Sequence, residues 1–350
     1  MRRTGFIRHP IYLEHVIDVY HPESPQRLEA IYAMVDGEMA DRLVTVEPRE
    51  ASHEEIGWIH SKSYMNMVAE TEGRSVRLDP DTATSPASYR AALMSAGGLL
   101  AAVDAVFEDR VDNAFAAIRP PGHHAEANRA AGFCIFNNVA IAAEYAIRKY
   151  GLERVLIFDW DLHHGNGTQH SFESTGKVLY VSTHQYPYYP GTGAFHEVGR
   201  GAGEGYTVNM PMQTGFGTGD FLRLIEEVVK PITLSYKPQL ILVSAGFDTY
   251  EGDPLGGMNV SATGYGAMTD RMLRLADECC DGKLIMTLEG GYHINGLRQS
   301  VRRTLEVMIE GEADPTWLEA EVLNPRGVDV IIGNVREMHL DYWPELAEND

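Results

Sequence analysis

The chain reads as an α/β protein: a single open, mostly parallel sheet with helices on both faces. Short apolar, β-rich runs alternate with longer amphipathic stretches, and strands alternating with helical patterns build parallel sheets. The apolar runs are nearly continuous, as expected of strands buried on both faces. Ionisable residues and glycines follow directly after these runs, at the strand ends where open parallel sheets bind ligands.

The elements follow in order. HPESPQRLEAIYAM reads as a loop feeding a helix, with Ser24 placed to cap it and Pro25 suited to its first position. Helical patterns cover 85–107, 138–150, 220–234, 261–278 and 295–309. Strand candidates are AFAAI from Ala114, RVLIF from Arg154, VLYVS from Val178, LILVS from Leu240 and KLIMTL from Lys283. From Ala313 the chain is richer in Pro, Trp and Glu. This predicts one domain over 1–350, with a core over 1–312 and a C-terminal surface extension over 313–350. A length of 350 residues suits a single large α/β domain.

Fifty acidic and 29 basic side chains give a net charge of −21. That argues against nucleic-acid binding, which needs a basic face, and it steers cations towards the protein as well as serving solubility. Three cysteines, Cys134, Cys279 and Cys280, form no disulfide framework and suit a reducing compartment. The N-terminus MRRTGFIRHPIYLEHV lacks an apolar signal core, and no run reads as a membrane span of about 18–20 apolar residues. The expectation is a cytoplasmic protein with no membrane partner, with a homo-oligomer left open.

The chemistry lies after the strands. In FDWDLHHGNGTQ, extended backbone places Asp159, Asp161 and His163 on one side. Buried carboxylates need a partner or a metal, and carboxylate with imidazole suits Zn²⁺ or Fe²⁺. A catalytic metal takes three protein ligands and keeps an open position, and Asp248, ending LILVSAGFD, is the best third. The plainer alternative is a set of hydrogen-bonded core residues. His123-His124, after Pro-Pro-Gly, suits acid–base work near neutrality, or else a second pair of metal ligands. Tyr292 follows Glu289-Gly290-Gly291, where glycines let backbone pass close to a ligand and a phenol can donate to a developing oxyanion. Together these residues predict metal-assisted hydrolysis of an acyl bond.

RPPGHHA, GFCIFNN, DWDLHHGNGTQ, AGFDTYEGDPLGG and LEGGY, in that order, resemble the signature blocks of the histone deacetylase family. That family includes bacterial acetylpolyamine amidohydrolases and acetoin-utilisation proteins, and the GNG and EGGY forms resemble its class II branch. The resemblance implies an arginase–deacetylase fold with a central, eight-stranded parallel sheet. It implies Zn²⁺, with Fe²⁺ as a substitute, on Asp161, His163 and Asp248. His124 would be the general base and acid, and His123 an electrostatic partner oriented by Asp159. Asn166 stands behind His124 where class I relatives have aspartate, and a neutral partner raises the histidine's pKa less than a carboxylate would. Tyr292 would bond the substrate carbonyl.

The resemblance also implies a substrate tunnel. Gly132 and Phe133 would form one wall and Tyr189 the opposite wall, where many relatives have phenylalanine. Gly290 and Gly291 would lie in the tunnel and Leu255 at its mouth. Arg27 would mark an internal product channel, or else be a surface charge at a helix start. A structural K⁺ would sit near Asp159, Asp161, His163, Ser182 and Thr183, and a second cation near Phe172, Thr175, Val178 and Tyr206. Cys134 reads as a small core residue.

The expected activity is zinc-dependent deacetylation of acetyl-lysine in a peptide or protein. The alternatives are an acetylpolyamine amidohydrolase acting on an acetylated small amine, an arginase-type ureohydrolase, and a non-catalytic acyl-lysine reader. Arginase chemistry needs two Mn²⁺ and further carboxylates, for which Asp253 is the nearest extra candidate. Polyamine-selective class II relatives carry glutamate at the position of Leu255. Leucine there favours acetyl-lysine peptides.

Overall fold

Eight short runs pair into one sheet in the computed structural model, which describes residues 1–17 and 20–347. The strands are β1 (Thr4–Ile7), β2 (Leu43–Thr45), β3 (Asn113–Ala116), β4 (Val155–Asp159), β5 (Val178–Gln185), β6 (Thr207–Met212), β7 (Leu240–Ala245) and β8 (Leu284–Leu288). Their order is β2-β1-β3-β8-β7-β4-β5-β6, and every pair is parallel. β3, β4, β5, β7 and β8 are the strands legible in the sequence, and all five are buried along their length. β1, β2 and β6 escaped that reading. β2 is three residues long and largely exposed. β6 contains Pro211, which the sheet tolerates because β6 is an edge strand.

The helices are α1 (Pro25–Glu38), α2 (His53–Ile56), α3 (Lys62–Ala69), α4 (Ser88–Phe107), α5 (Asn138–Tyr150), α6 (Asn166–Phe172), α7 (Thr218–Leu224), α8 (Lys230–Tyr236), α9 (Ala262–Cys280), α10 (Ile294–Glu310) and α11 (Pro325–His339). α1 starts at Pro25 as expected, but Ser24 makes no side-chain cap bond. The helix expected over 220–234 is instead α7 and α8 joined through a π-helical turn at Ile225–Val229. α4 corrects the membrane reading. Its 20 residues are long and apolar enough to cross a bilayer by length and composition, yet 78% of the apolar window is buried inside the protein. Its alanines, among them Ala92, Ala96 and Ala102, are core residues, so the apolarity serves packing.

The tail set apart by composition is more than a surface wrap. α11 buries Val328, Ile331, Ile332 and Val335, and these join the same core cluster as the sheet. Trp343 donates its indole N–H to the Gly205 carbonyl at 2.8 Å.

Register aligns the polar strand ends. Asp159 stands beside Ser182 on β5 and Ser244 on β7, Ser244 beside Thr287 on β8, and Thr287 beside Ala116 on β3. The segments after β3, β4, β7 and β8 therefore leave the sheet side by side, which brings distant stretches of sequence to one site.

Candidate active site

β4 stops at Asp159, so Asp161 and His163 are not carried by strand alternation as the sequence suggested. Two tight turns do it instead. The Asp161 N–H donates to Asp159 Oδ1 at 3.2 Å and the His163 N–H to Asp161 Oδ1 at 2.8 Å. Asp248 arrives after β7, its Oδ1 held by the Leu162 N–H at 2.9 Å. His163 Nδ1 then faces Asp161 Oδ1 and Asp248 Oδ2, both at 3.2 Å. One ligand atom from each of the three lies within 4.8 Å of the others, and all three residues are buried. Gly290 makes room for them: a Cβ there would come within 2.1 Å of Asp248 Oδ2, and its N–H donates to Asp161 Oδ2 at 2.8 Å.

The charges at this centre are strongly coupled. Burial opposes a charge on His163, but bonds to Asp161 and Asp248 outweigh it and push its pKa to about 9. Burial and the neighbouring Asp161 push the Asp248 carboxyl up to about 7. Carboxylates that stabilise a proton on the imidazole this strongly suit a divalent cation in the same place, and the donor set fits zinc.

The tandem histidines sit in the turn after β3. His123 Nδ1 lies 3.0 Å from Asp159 Oδ2 and its Nε2 3.8 Å from Asp161. Burial opposes its charge, and the two aspartates overcome it to raise its pKa to about 10. His124 behaves oppositely. Burial, with His123 and His163 nearby, drives its pKa well below 6.5, and the bond to Asn166 offsets this only in part. His124 Nδ1 lies 2.8 Å from Asn166 Oδ1. The two neighbours are thus pushed in opposite directions.

Tyr292 leaves β8 through Gly290-Gly291, and Gly291 has φ +115°. Burial and Asp248 raise its phenol well above the ordinary value, so it stays a donor. Phe133 meets the Tyr292 ring edge-on at 6.0 Å. Phe133 and Gly132 both have positive φ, 69° and 53°, and a Cβ on Gly132 would lie 2.3 Å from the His124 ring. Tyr189 faces His124 edge-on at 5.1 Å. Leu255 is half-buried, its carbonyl accepting from the Tyr188 hydroxyl at 3.1 Å.

Sequence reasoning missed Tyr188 and the role of Glu289, and it read Asp253 and Arg27 without their partners. Tyr188 stacks on His163 at 5.6 Å. Glu289 Oε2 accepts the Gly122 N–H at 2.7 Å and the His123 N–H at 3.3 Å, tying the histidine turn to β8. Asp253 accepts N–H bonds from Leu255, Tyr292 and His293. Arg27 is fully buried, which removes the surface-charge reading. Its Nε donates to the Gly291 carbonyl at 2.7 Å and Nη1 to Glu23 at 3.0 Å, and its guanidinium lies 5.1 Å over the Tyr292 ring. Arg119 also pairs with Glu23. Glu23 lies in HPESPQR, Arg119 opens RPPGHHA and Glu126 directly follows it, but nothing in the sequence pairs these charges with their partners.

The other expected ion positions are placed as follows. Ser182 Oγ lies 2.9 Å from His184 Nδ1, and the buried Thr183 hydroxyl has no hydrogen-bond partner among the described residues. Phe172 ends α6, Thr175 follows in the loop, Val178 begins β5 and Tyr206 precedes β6. The Thr175 N–H bonds the Phe172 carbonyl at 3.0 Å and the Tyr180 N–H the Tyr206 carbonyl at 2.9 Å. Cys134 is buried, its thiol 3.3 Å from the Gly132 carbonyl, and burial raises its pKa.

Residues 21–308 match the histone deacetylase domain family. A probable deacetylase of Archaeoglobus fulgidus is 41% identical over 296 residues, covering 84% of this chain and 82% of that protein. Histone deacetylase 15 of Arabidopsis thaliana is 38% identical over 334 residues, 93% of this chain and 59% of that protein. Polyamine deacetylase HDAC10 of Homo sapiens is 37% identical over 344 residues, 94% of this chain and 50% of that protein. The chain thus spans half to three-fifths of the length of these two eukaryotic relatives. The crystal structure of the HDA15 HD domain superposes with a TM-score of 0.90 at 37% identity, covering 98% of this chain and 96% of that one. Similarity of this extent, on the same sheet, means that the chain belongs to the histone deacetylase family and has the arginase–deacetylase fold.

Proposed function

We propose that this protein is a zinc-dependent deacetylase that hydrolyses the amide of N-acetyl-lysine in a peptide or protein. The observation that carries the reading is the convergence of Asp161, His163 and Asp248 within 4.8 Å of one another, beside His124, which is bonded to Asn166 and meets the His163 ring edge-on. A Zn²⁺ held by these three ligands supplies Lewis acidity and lowers the pKa of the water it binds. Fe²⁺ would suit the same donor set.

The chain's own residues do the rest. His124, neutral, takes a proton from the attacking water at Nε2 and passes it to the leaving amine, since the Nδ1 side is occupied by Asn166. His123, held charged by Asp159 and Asp161, supplies positive potential beneath the reaction. Tyr292 donates its O–H to the carbonyl oxygen as negative charge develops there. Gly132, Phe133 and Tyr189 confine the acyl-lysine stem, and Gly290 and Gly291 carry the chain past Asp248 and Phe247 to Tyr292. A K⁺ near Asp159, Asp161, His163, Ser182 and Thr183, and a second cation near Phe172, Thr175, Val178 and Tyr206, complete the proposed ion set.

The second reading is an acetylpolyamine amidohydrolase, favoured by similarity to the human polyamine deacetylase. Leu255 at the mouth favours peptides, because it offers no carboxylate to a second ammonium. The arginase reading lacks support for a second metal: among the described residues Asp253 does not join the Asp161, His163 and Asp248 group, and its carboxylate instead holds the backbone N–H groups of Leu255, Tyr292 and His293. Acetate release from an acetyl-lysine peptide, with and without a chelator, tests the proposal. Chelator-sensitive turnover is expected. Absence of turnover on acetylated peptides and polyamines alike would overturn it.

A further inference from the structure

Asn166 was expected to leave His124 with a merely neutral neighbour. The structure shows what lies behind that amide. Asn166 and His170 are four residues apart on α6, so both side chains share one face of the helix. That face meets Glu126, which is nearly buried. Asn166 Nδ2 donates to Glu126 Oε1 at 2.6 Å, and His170 Nδ1 lies 2.9 Å from the same oxygen and 3.1 Å from Oε2. The main chain holds Glu126 in place: its N–H bonds the Arg129 carbonyl at 3.0 Å and its carbonyl lies 2.9 Å from His60 Nδ1.

This arrangement decides which way the amide faces. An ionised carboxylate only accepts, and so does a backbone carbonyl. Burial works against the charge on Glu126, but bonds from His170 and Asn166 outweigh it and hold the carboxyl below its ordinary range. Asn166 Nδ2 has two acceptors, Glu126 Oε1 and the His124 carbonyl, the latter at 3.4 Å. Its NH₂ must therefore point to them and its Oδ1 to His124 Nδ1. Because Oδ1 can only accept, His124 Nδ1 must carry the hydrogen, which leaves the Nε2 lone pair free.

We propose that Glu126 is a positioning residue for proton transfer: its carboxylate locks the Asn166 amide in one orientation and so fixes His124 as the Nδ1–H tautomer. The catalytic consequence rests on the deacetylase reading, since only a base with a free Nε2 can take the proton from water. The tautomer itself does not depend on that reading. Without an acceptor at position 126 the amide can turn over, present its NH₂ to Nδ1, and select the tautomer that cannot accept a proton at Nε2.

The test uses the zinc-loaded protein with Glu126→Leu, which removes the acceptor at similar volume, and Glu126→Gln, whose carbonyl oxygen can still accept from Asn166. Glu126→Leu is expected to lower kcat about tenfold or more, with KM and zinc content unchanged. Glu126→Gln should stay within about threefold of wild type, since acid–base losses follow the lost acceptor rather than the lost charge. Histidine ¹⁵N spectra, with the His124 signals assigned by a His124→Ala control, should show Nδ1–H in wild type and in Glu126→Gln, and a mixture in Glu126→Leu. Nε2–H at His124 in wild type overturns the proposal, even if Glu126→Leu fails to fold. A Glu126→Leu protein equal to wild type in kcat and spectrum overturns it as well. If wild type releases no acetate from any acetylated amine, the deacetylase reading fails separately, and the spectra still decide the tautomer.

Discussion

Replacing Asp253 should uncouple two parts of the site that the sequence gives no reason to connect. Asp253 Oδ2 accepts the Tyr292 N–H at 2.7 Å and the His293 N–H at 3.0 Å, and Oδ1 accepts the Leu255 N–H at 3.0 Å. Asp253→Ala orphans all three donors. The three residues that carry them are half-buried, so water reaches some of them, and the lower end of the usual cost applies, about 1 kcal/mol each or about 3 kcal/mol together. Unfolding 350 residues at about 2.1 cal/mol/K per residue gives an entropy of about 0.7 kcal/mol/K, so Tm should fall by about 4 °C. With Tyr292 no longer anchored, kcat should fall towards the loss of one oxyanion donor, about 10²–10³. Asp253→Asn separates the two roles. Its one carbonyl oxygen is best used on the pair of amides from Tyr292 and His293, which leaves Leu255 facing an NH₂ group. Asn should therefore keep kcat near wild type while KM for peptides changes. The assay is steady-state acetate release with a thermal melt on each variant. A wild-type kcat in Asp253→Ala, or equal kcat damage in Ala and Asn, would refute the reasoning.

Further expectations follow from the same geometry. Tyr292→Phe should retain zinc by elemental analysis and lose about 10²–10³ in kcat; unchanged kcat would remove the phenol from the oxyanion role. Leu255→Glu should shift kcat/KM from acetyl-lysine peptide towards N-acetylated spermidine or putrescine at physiological salt, and a wild-type preference for the polyamine would sink the role given to Leu255. Glu23 is held at about 2: burial opposes its charge, but Arg119 and Arg27 outweigh that. Its stabilisation is therefore complete above the ordinary glutamate range and lost as pH falls from about 4.5 towards 2. Glu23→Gln should cost about 3–5 kcal/mol at neutral pH by leaving two buried guanidinium groups without their carboxylate, and should flatten the acid slope in denaturant titrations. An unchanged acid slope in Glu23→Gln would assign that stability to other groups.

The parts of this protein that sequence revealed share a physical signature. β4 and β7 are buried on both faces, so they open on unbroken apolar runs, Val155–Phe158 and Leu240–Val243, and Asp161, His163 and Asp248 stand out because they follow such runs. The tandem histidines and Tyr292 are legible for the same reason, each placed just past a strand with glycine beside it. β1, with a glycine, and β6, with a proline and an asparagine, lack that continuity. Asp253 reads from sequence only as a spare carboxylate, because a carboxylate that binds backbone N–H groups leaves no matching side chain to find. Glu126 was hidden likewise: its partner Asn166 lies 40 residues away, and neither residue alone announces the pair. α4 is apolar enough by composition to pass for a membrane span, which the sequence reading did not register, since alanine-rich helices buried in a large core and helices buried in lipid have the same composition.

The central claim is that Asp161, His163 and Asp248 hold one metal ion that the deacetylation requires. The most direct measurement is metal content and acetate release on the same preparations of wild type and Asp248→Ala, before and after chelation and zinc return. Wild type should hold about one zinc per chain through a three-ligand site, lose turnover with the metal and recover it with zinc, while Asp248→Ala should do neither. Turnover that survives complete removal of metal, or an Asp248→Ala protein with full zinc and full activity, would contradict the account.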